Sequence, residues 1–251
     1  MSKVLGSDRG ITVTAQNINE ASTTQKHKLG ERLVRDERVF RYVKCVTEAL
    51  RPGKAACVTM TPEESAVAGA ASAIGINTAT ITVTAAAGLA VDALAGGYLC
   101  YRSTDWHSHK IVSHPAADNG ATCVLTLETD IVNYAIASGT TILTAYPSMW
   151  KVRQYAVGPV AGFFWVGIPK CTVAINSYGW LQTWGPCSIC PGAYLGADGE
   201  IETVFTIGGA LAADTIAYQR CGLLMPDNYT VETAQTDLID SNHLVFLTLC
   251  P

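Results

Sequence analysis

Cys187 and Cys190 form a C-x-x-C pair at the end of Y-G-W-L-Q-T-W-G-P-C-S-I-C, residues 178 to 190. This spacing commonly presents two thiolates to one zinc ion or to each other. The neighbouring residues argue against both. Tyr178, Trp180, Gln182 and Trp184 alternate with Gly179, Leu181 and Thr183 as on a strand, and Gly185-Pro186 is expected to break it. If a strand restarts after Pro186, the two thiols point to opposite faces and cannot share an ion. A zinc knuckle also needs a second ligand pair, yet no histidine falls between His114 and His243. A redox pair normally sits at a helix N-terminus that lowers the thiol pKa, whereas Pro191-Gly192 follows here. The expectation is two small apolar residues filling an interior.

Asp105-Trp106-His107-Ser108-His109 is the second candidate, because histidines at i and i+2 on a strand share a face and could hold a metal with Asp105 or His114. Its polar character reads instead as a hairpin tip with solvent-exposed imidazoles. No G-x-S-x-G, H-E-x-x-H, P-loop or dinucleotide fingerprint occurs. Glu63-Glu64 and the pair Glu200 and Glu202 read as solvated faces. Asn228-Tyr229-Thr230 matches a glycosylation sequon that an intracellular product would not use. No catalytic residue, cofactor or metal site is expected, and the chain does not read as an enzyme.

The frame that positions these residues is mainly β. Only 15% of the 251 residues are charged, while Ala, Thr, Gly and Val abound, which suits short strands and tight turns. Nine cysteines, an odd and irregularly spaced set, do not look like a secreted disulfide framework. The N-terminus lacks a basic segment followed by an apolar one, so no signal peptide is expected. Residues 66–91 carry no charge, but Thr78, Thr80, Thr82 and Thr84 alternate with Ala79, Ile81 and Val83, which is a strand period and not a membrane span.

Residues 1–29 lack a sustained apolar period and read as an extended arm that orders on a neighbour. Arg38 to Cys45 alternates as a strand, and Arg51-Pro52-Gly53-Lys54 is a turn. Thr61-Pro62-Glu63-Glu64 has the form of a helix start, with a hydroxyl cap, Pro at the first position and a Glu three residues on. Short strands are then expected through 146, with Asn119-Gly120 as a hairpin turn, and again at 171–175, 178–184, 201–206, 216–221 and 243–249. The resulting expectation is a small β-barrel or sandwich (30–61 plus 148–251) interrupted by a second small β domain (62–147).

Charge is uneven. Residues 1–54 hold 11 Lys and Arg against 6 Asp and Glu, a net +5, leaving −9 for the remainder. The basic end is therefore expected to meet an acidic surface.

Several phrases resemble the head decoration, or cement, proteins of tailed bacteriophages, a family of virion structural proteins. They are G-E-R-L-V-R-D-E-R-V-F-R-Y-V-K (30 to 44), A-G-G-Y-L (95 to 99), K-I-V-S-H-P-A-A-D (110 to 118), L-T-L-E (125 to 128), Y-G-W-L-Q-T-W-G-P (178 to 186) and H-L-V-F-L-T-L (243 to 249). They stand in the family's order and span nearly the whole chain beyond the arm. Where this chain has Cys187 and Cys190, the family pattern has small apolar residues, in keeping with thiols as interior filler.

The resemblance implies a protein on the capsid exterior, made in the host cytoplasm, that binds the major capsid protein as a homotrimer and stabilises the head against internal DNA pressure. No direct nucleic-acid or membrane contact is implied. Arg32, Arg35, Arg38 and Arg41 are then expected to touch acidic capsid surface, and Tyr178, Trp180 and Trp184 to lie in the core or a trimer interface. Two alternatives remain open: another virion component, such as a head-fibre base or tail-tube protein, and a host-glycan-binding surface module using aromatics such as Trp106 or Tyr134.

Overall fold

The structure is a computed structural model that describes residues 16–59, 64–70, 72–102, 105–131, 135–138, 141–154, 163–190, 202–205, 211–213, 219–225 and 243–250. All regular elements among them are strands, in keeping with the mainly β expectation. They are β1 (Arg32–Arg35), β2 (Arg38–Cys45), β3 (Ala56–Thr59), β4 (Glu64–Ala68), β5 (Thr78–Thr82) and β6 (Tyr98–Arg102). Next come β7 (Trp106–Ser113), β8 (Thr122–Leu127), β9 (Ile142–Tyr146), β10 (Lys151–Gln154) and β11 (Phe163–Pro169). The last are β12 (Tyr178–Ile189), β13 (Glu202–Phe205), β14 (Leu211–Ala213), β15 (Arg220–Leu224) and β16 (His243–Thr248). The chain divides into two compact units, Met1–Val58 with Trp150–Pro251, and Thr59–Met149.

In the first unit β2, β10, β3, β11 and β12 form a closed ring, because β12 pairs with β2 as well as with β11. Closure leaves those strands without a free edge. The sheet continues from β12 through β16 and β15 to β13 and β14, and β1 forms a hairpin on β2. Ala55, Cys57, Trp165, Ile168, Cys187, Ile189, Cys221, Val245 and Leu247 make one buried cluster.

The expected break at Gly185-Pro186 does not occur, and β12 runs through it. A bulge at Thr183, between the pairs Gln182↔Phe40 and Trp184↔Val39, absorbs the irregularity. The fully buried Gln182 pins it, its Nε2 donating to the carbonyls of Trp184 at 3.1 Å, Gly185 at 3.2 Å and Pro186 at 2.7 Å. Gly185 has φ +84°, and a Cβ there would lie 2.5 Å from the Glu37 carbonyl, so only glycine fits without strain. Pro186 falls after the last residue paired to β2, so its missing N–H costs that ladder nothing. The strand expected at 171–175 is a loop that touches Leu50 at one bridge, through Val173.

Residues 16–29, expected as part of an extended arm that orders on a neighbour, are folded onto their own barrel. Ile18 and Leu29 join Leu33, Phe40, Tyr42, Tyr178 and Trp180 in a second cluster, and Ser22 exchanges backbone hydrogen bonds with Tyr178 at 2.9 and 2.8 Å. Aromatic residues of β2 and β12 supply the apolar surface that this polar segment lacks. Residues 1–15 lie outside the described residues.

The second unit is a six-stranded antiparallel sheet, in the order β4-β9-β6-β7-β8-β5. It curls until its ends meet at one bridge, Gly69↔Ile81, giving an almost closed half-barrel. Ala79, Ile81, Leu99, Tyr101, Ile111, Cys123, Leu125, Leu127, Leu143 and Ala145 fill its concave side. The expected helix after Thr61 is absent: Glu64–Ala68 is β4, paired with β9 through a bulge between Glu64 and Val67. Residues 61–63 of the proposed cap lie outside the described residues. A local cap is worth about 1 kcal/mol, less than burying Val67 in the cluster contributes. No helix among the described residues is long and apolar enough to cross a membrane.

Candidate functional site

The C-x-x-C residues do not converge on a reactive site. Cys187 is buried with Cys57 and Cys221 in the barrel cluster, while Cys190 is half-exposed and its N–H donates to the Gly53 carbonyl at 2.8 Å. Burial pushes the Cys187 thiol up to about 11 despite Lys170, whose Nζ lies 3.9 Å from the sulfur. Cys57 is pushed to about 11 by the same cause, against the pull of Arg153. A thiol so protonated is a poor nucleophile and a poor ligand. All nine cysteines are free. Among the described residues, no group of three or more His, Cys, Asp or Glu is placed to hold a metal ion.

The histidine segment departs from the expected exposed tip. β7 starts at Trp106, so His107 and His109 lie within a strand and share a face with Tyr101 of β6. The Tyr101 ring stacks on His107 at 5.0 Å and on His109 at 5.9 Å. His109 is buried, with Nδ1 3.2 Å from the Thr129 hydroxyl, and burial and then His107 hold its pKa below the usual value. His114 is also buried and is engaged elsewhere. Its Nε2 accepts the Leu94 N–H at 2.9 Å, which leaves Nδ1–H to donate to the Pro115 carbonyl at 2.7 Å. Asp92, not Asp105, faces it, accepting the His114 backbone N–H at 2.9 Å.

The four arginines fall into two cross-strand pairs, Arg32↔Arg41 and Arg35↔Arg38, on opposite faces of the β1–β2 hairpin. They are not one patch. Arg41 lies over the Trp150 ring at 5.7 Å and donates to the Gly30 carbonyl at 3.3 Å. Arg38 pairs with Asp36 at 3.5 Å beside the tight turn. Arg32 is exposed on an edge strand.

Trp180 is core, with His27 and Tyr42 packed on it at 4.9 and 5.0 Å. Tyr178 stacks on Tyr42 at 6.1 Å, and Trp184 meets Phe246 edge-on at 5.6 Å. Sequence reasoning missed the polar part of this cluster: Tyr42 Oη donates to Gln16 Oε1 at 2.7 Å and accepts the Lys26 N–H at 3.1 Å. The signal available was Gln16 within an otherwise undirected polar run.

The convex face of the second unit was also missed, apart from Trp106. Three rungs can be read from the register: Arg102 with Trp106, then Thr144, Cys100 and Ser108, then Tyr146, Tyr98 and Lys110. Trp106 is 79% exposed and Tyr98 44%. Arg102 lies 5.5 Å from the centre of the Trp106 ring, and Lys110 pairs with Glu128 at 3.7 Å. Tyr134, Glu63, Glu200 and Asn228-Tyr229-Thr230 lie outside the described residues.

No family model, curated protein or solved structure matches the chain.

Proposed function

We propose that this chain is a structural component of a tailed-phage virion: a decoration, or cement, protein that binds the outside of the major capsid protein shell as a homotrimer. The observation that carries the reading is where the family-like phrases fall. The first is the β1–β2 hairpin, A-G-G-Y-L leads into β6, K-I-V-S-H-P-A-A-D ends β7, L-T-L-E ends β8, Y-G-W-L-Q-T-W-G-P is most of β12 and H-L-V-F-L-T-L is β16. The resemblance therefore lies on the frame of both units and not on one loop.

Like-charged residues directly opposite in a sheet destabilise it, and Arg32↔Arg41 and Arg35↔Arg38 are two such pairs in one short hairpin. Acidic groups of neighbouring subunits, met separately on the two faces of the hairpin, relieve that repulsion. Among the described residues β1 also presents an open strand edge, to which a neighbour can add backbone hydrogen bonds. A trimer that binds only the assembled lattice stabilises it by mass action, without any chemistry.

The test is to locate the protein in a reconstructed virion and to challenge particles stripped of it with heat and osmotic shock. Density on the outer shell at threefold positions, and earlier rupture of stripped particles, are expected. Hexameric rings in the tail, or stripped particles as robust as complete ones, would overturn the reading. Arg32→Glu with Arg35→Glu should lower retention on capsids by about tenfold, as loss of about 1.4 kcal/mol requires.

A further inference from the structure

We propose that the convex face of the second unit is a binding site for neutral carbohydrate, with the Trp106 indole as its stacking platform. This does not rest on the decoration reading. Trp106 heads β7 with 79% of its surface in water, although a side chain of this size dominates binding where it is buried. Arg102, its cross-strand partner, sets a guanidinium over one face of the ring, 5.5 Å from its centre, a contact that favours one orientation of the indole while most of its surface stays open to a ligand. An ordered aromatic plane loses less entropy on binding than a free one.

The rest of the face supplies what the rim of a pyranose needs. The next rung carries the Thr144 and Ser108 hydroxyls, and the one after it carries Tyr98, Tyr146 and the Lys110 ammonium. The outer rungs are four residues apart along β7, about 13 Å, room for a short oligosaccharide. A hexopyranose has one face of C–H groups, which carry partial positive charge and favour the negative face of an indole. Its equatorial hydroxyls point to the sides, where the serine, threonine, tyrosine and lysine groups stand.

Other occupants fit less well. The only two Lys and Arg of Thr59–Met149, Arg102 and Lys110, stand on this face already engaged with the Trp106 ring and Glu128, and the unit holds seven Asp and Glu besides, which leaves little free positive charge for nucleic acid or a polyanionic glycan. A second copy docked face to face about a twofold axis would bring Arg102 and Lys110 of one molecule towards those of the other.

The test uses the full chain and short oligomers of glucose, galactose, mannose and N-acetylglucosamine, with heparin and poly-dT as polyanion probes. Binding is followed by tryptophan fluorescence and calorimetry. At least one neutral oligomer is expected to saturate the protein, Trp106→Ala to weaken it by about tenfold or more, and Trp106→Tyr to retain part of the affinity. Because Trp106 is exposed, both variants should melt as the parent does. Tyr98→Ala, at the far rung, should weaken long oligomers more than short ones. Failure of every neutral oligomer to bind at millimolar concentration would overturn the proposal. So would unchanged binding by Trp106→Ala, tighter binding of heparin or poly-dT, or a fluorescence change that follows protein concentration through self-association.

Discussion

The thiols at 187 and 57 show how burial decides what a reactive residue type does. Each thiol is raised from 9.0 to about 11, so between those values the unfolded chain has lost a proton that the folded chain keeps. The contribution of these two groups is therefore complete below pH 9 and is lost as pH rises towards 11, by about 1.4 kcal/mol per unit for each group. Denaturant midpoints measured across this window should decline, and Cys57→Ala with Cys187→Ala should flatten the decline. His109 works in the opposite sense. Its folded pKa lies below 6.5, so stability is present above that pH and is lost as pH falls, because the unfolded chain takes up the proton first. The melting temperature should drop below about pH 6.5, and His109→Gln should reduce the drop. The sequence indicated that Cys187 is interior filler, since no ligand set or helix dipole stood near it. It did not reveal the burial of His109, because the stacking ring of Tyr101 arrives from the neighbouring strand.

Elements were legible where their period is local. β5 alternates residue by residue in sequence and in burial; β2 was equally legible as a strand from its sequence, although both of its faces are buried. β4 was misread because its preceding residues imitate a helix cap, and the pairing with β9 that overrides the cap joins positions far apart in sequence. The segment 16–29 is a parallel case: alone it has too little apolar surface to fold, and the surface it uses belongs to β2 and β12. Besides the Ser22–Tyr178 backbone pair and the packing of Ile18 and Leu29, one side-chain atom, Tyr42 Oη, bonds to both Gln16 and Lys26. Tyr42→Phe keeps the ring packing and removes both bonds, a loss of about 1–2 kcal/mol. Trypsin cleavage after Lys26 and Lys28 under native conditions should quicken by about tenfold, and the free energy of global unfolding should fall by the same amount, since both openings break the two bonds. Equal cleavage rates in variant and parent would show that packing alone retains the segment.

At the scale of the molecule, composition and turn spacing made the β class readable, but barrel closure left no local trace. The closing pair joins Val39–Lys44 of β2 to Tyr178–Trp184 of β12, across the whole of Thr59–Met149. Such long-range pairing carries a loop-closure cost that grows only slowly with length, so a long insertion between the two strands is tolerable. The geometry at its ends makes it more so. β3 leads out of the barrel and β10 leads back, and the two are antiparallel neighbours with Cys57 opposite Arg153 and Ala56 opposite Gln154. Entry and exit therefore stand side by side, about 5 Å apart, the spacing of paired strands. Replacing residues 60–149 with a short Gly-Ser linker should accordingly leave a folded barrel, since the linker has only to close a hairpin. The expected product shows a β circular-dichroism spectrum, unfolds in a single cooperative step and keeps Cys187 slow to alkylate at neutral pH. An aggregated chain, or rapid modification of Cys187, would mean that the first unit cannot complete its core without the inserted one.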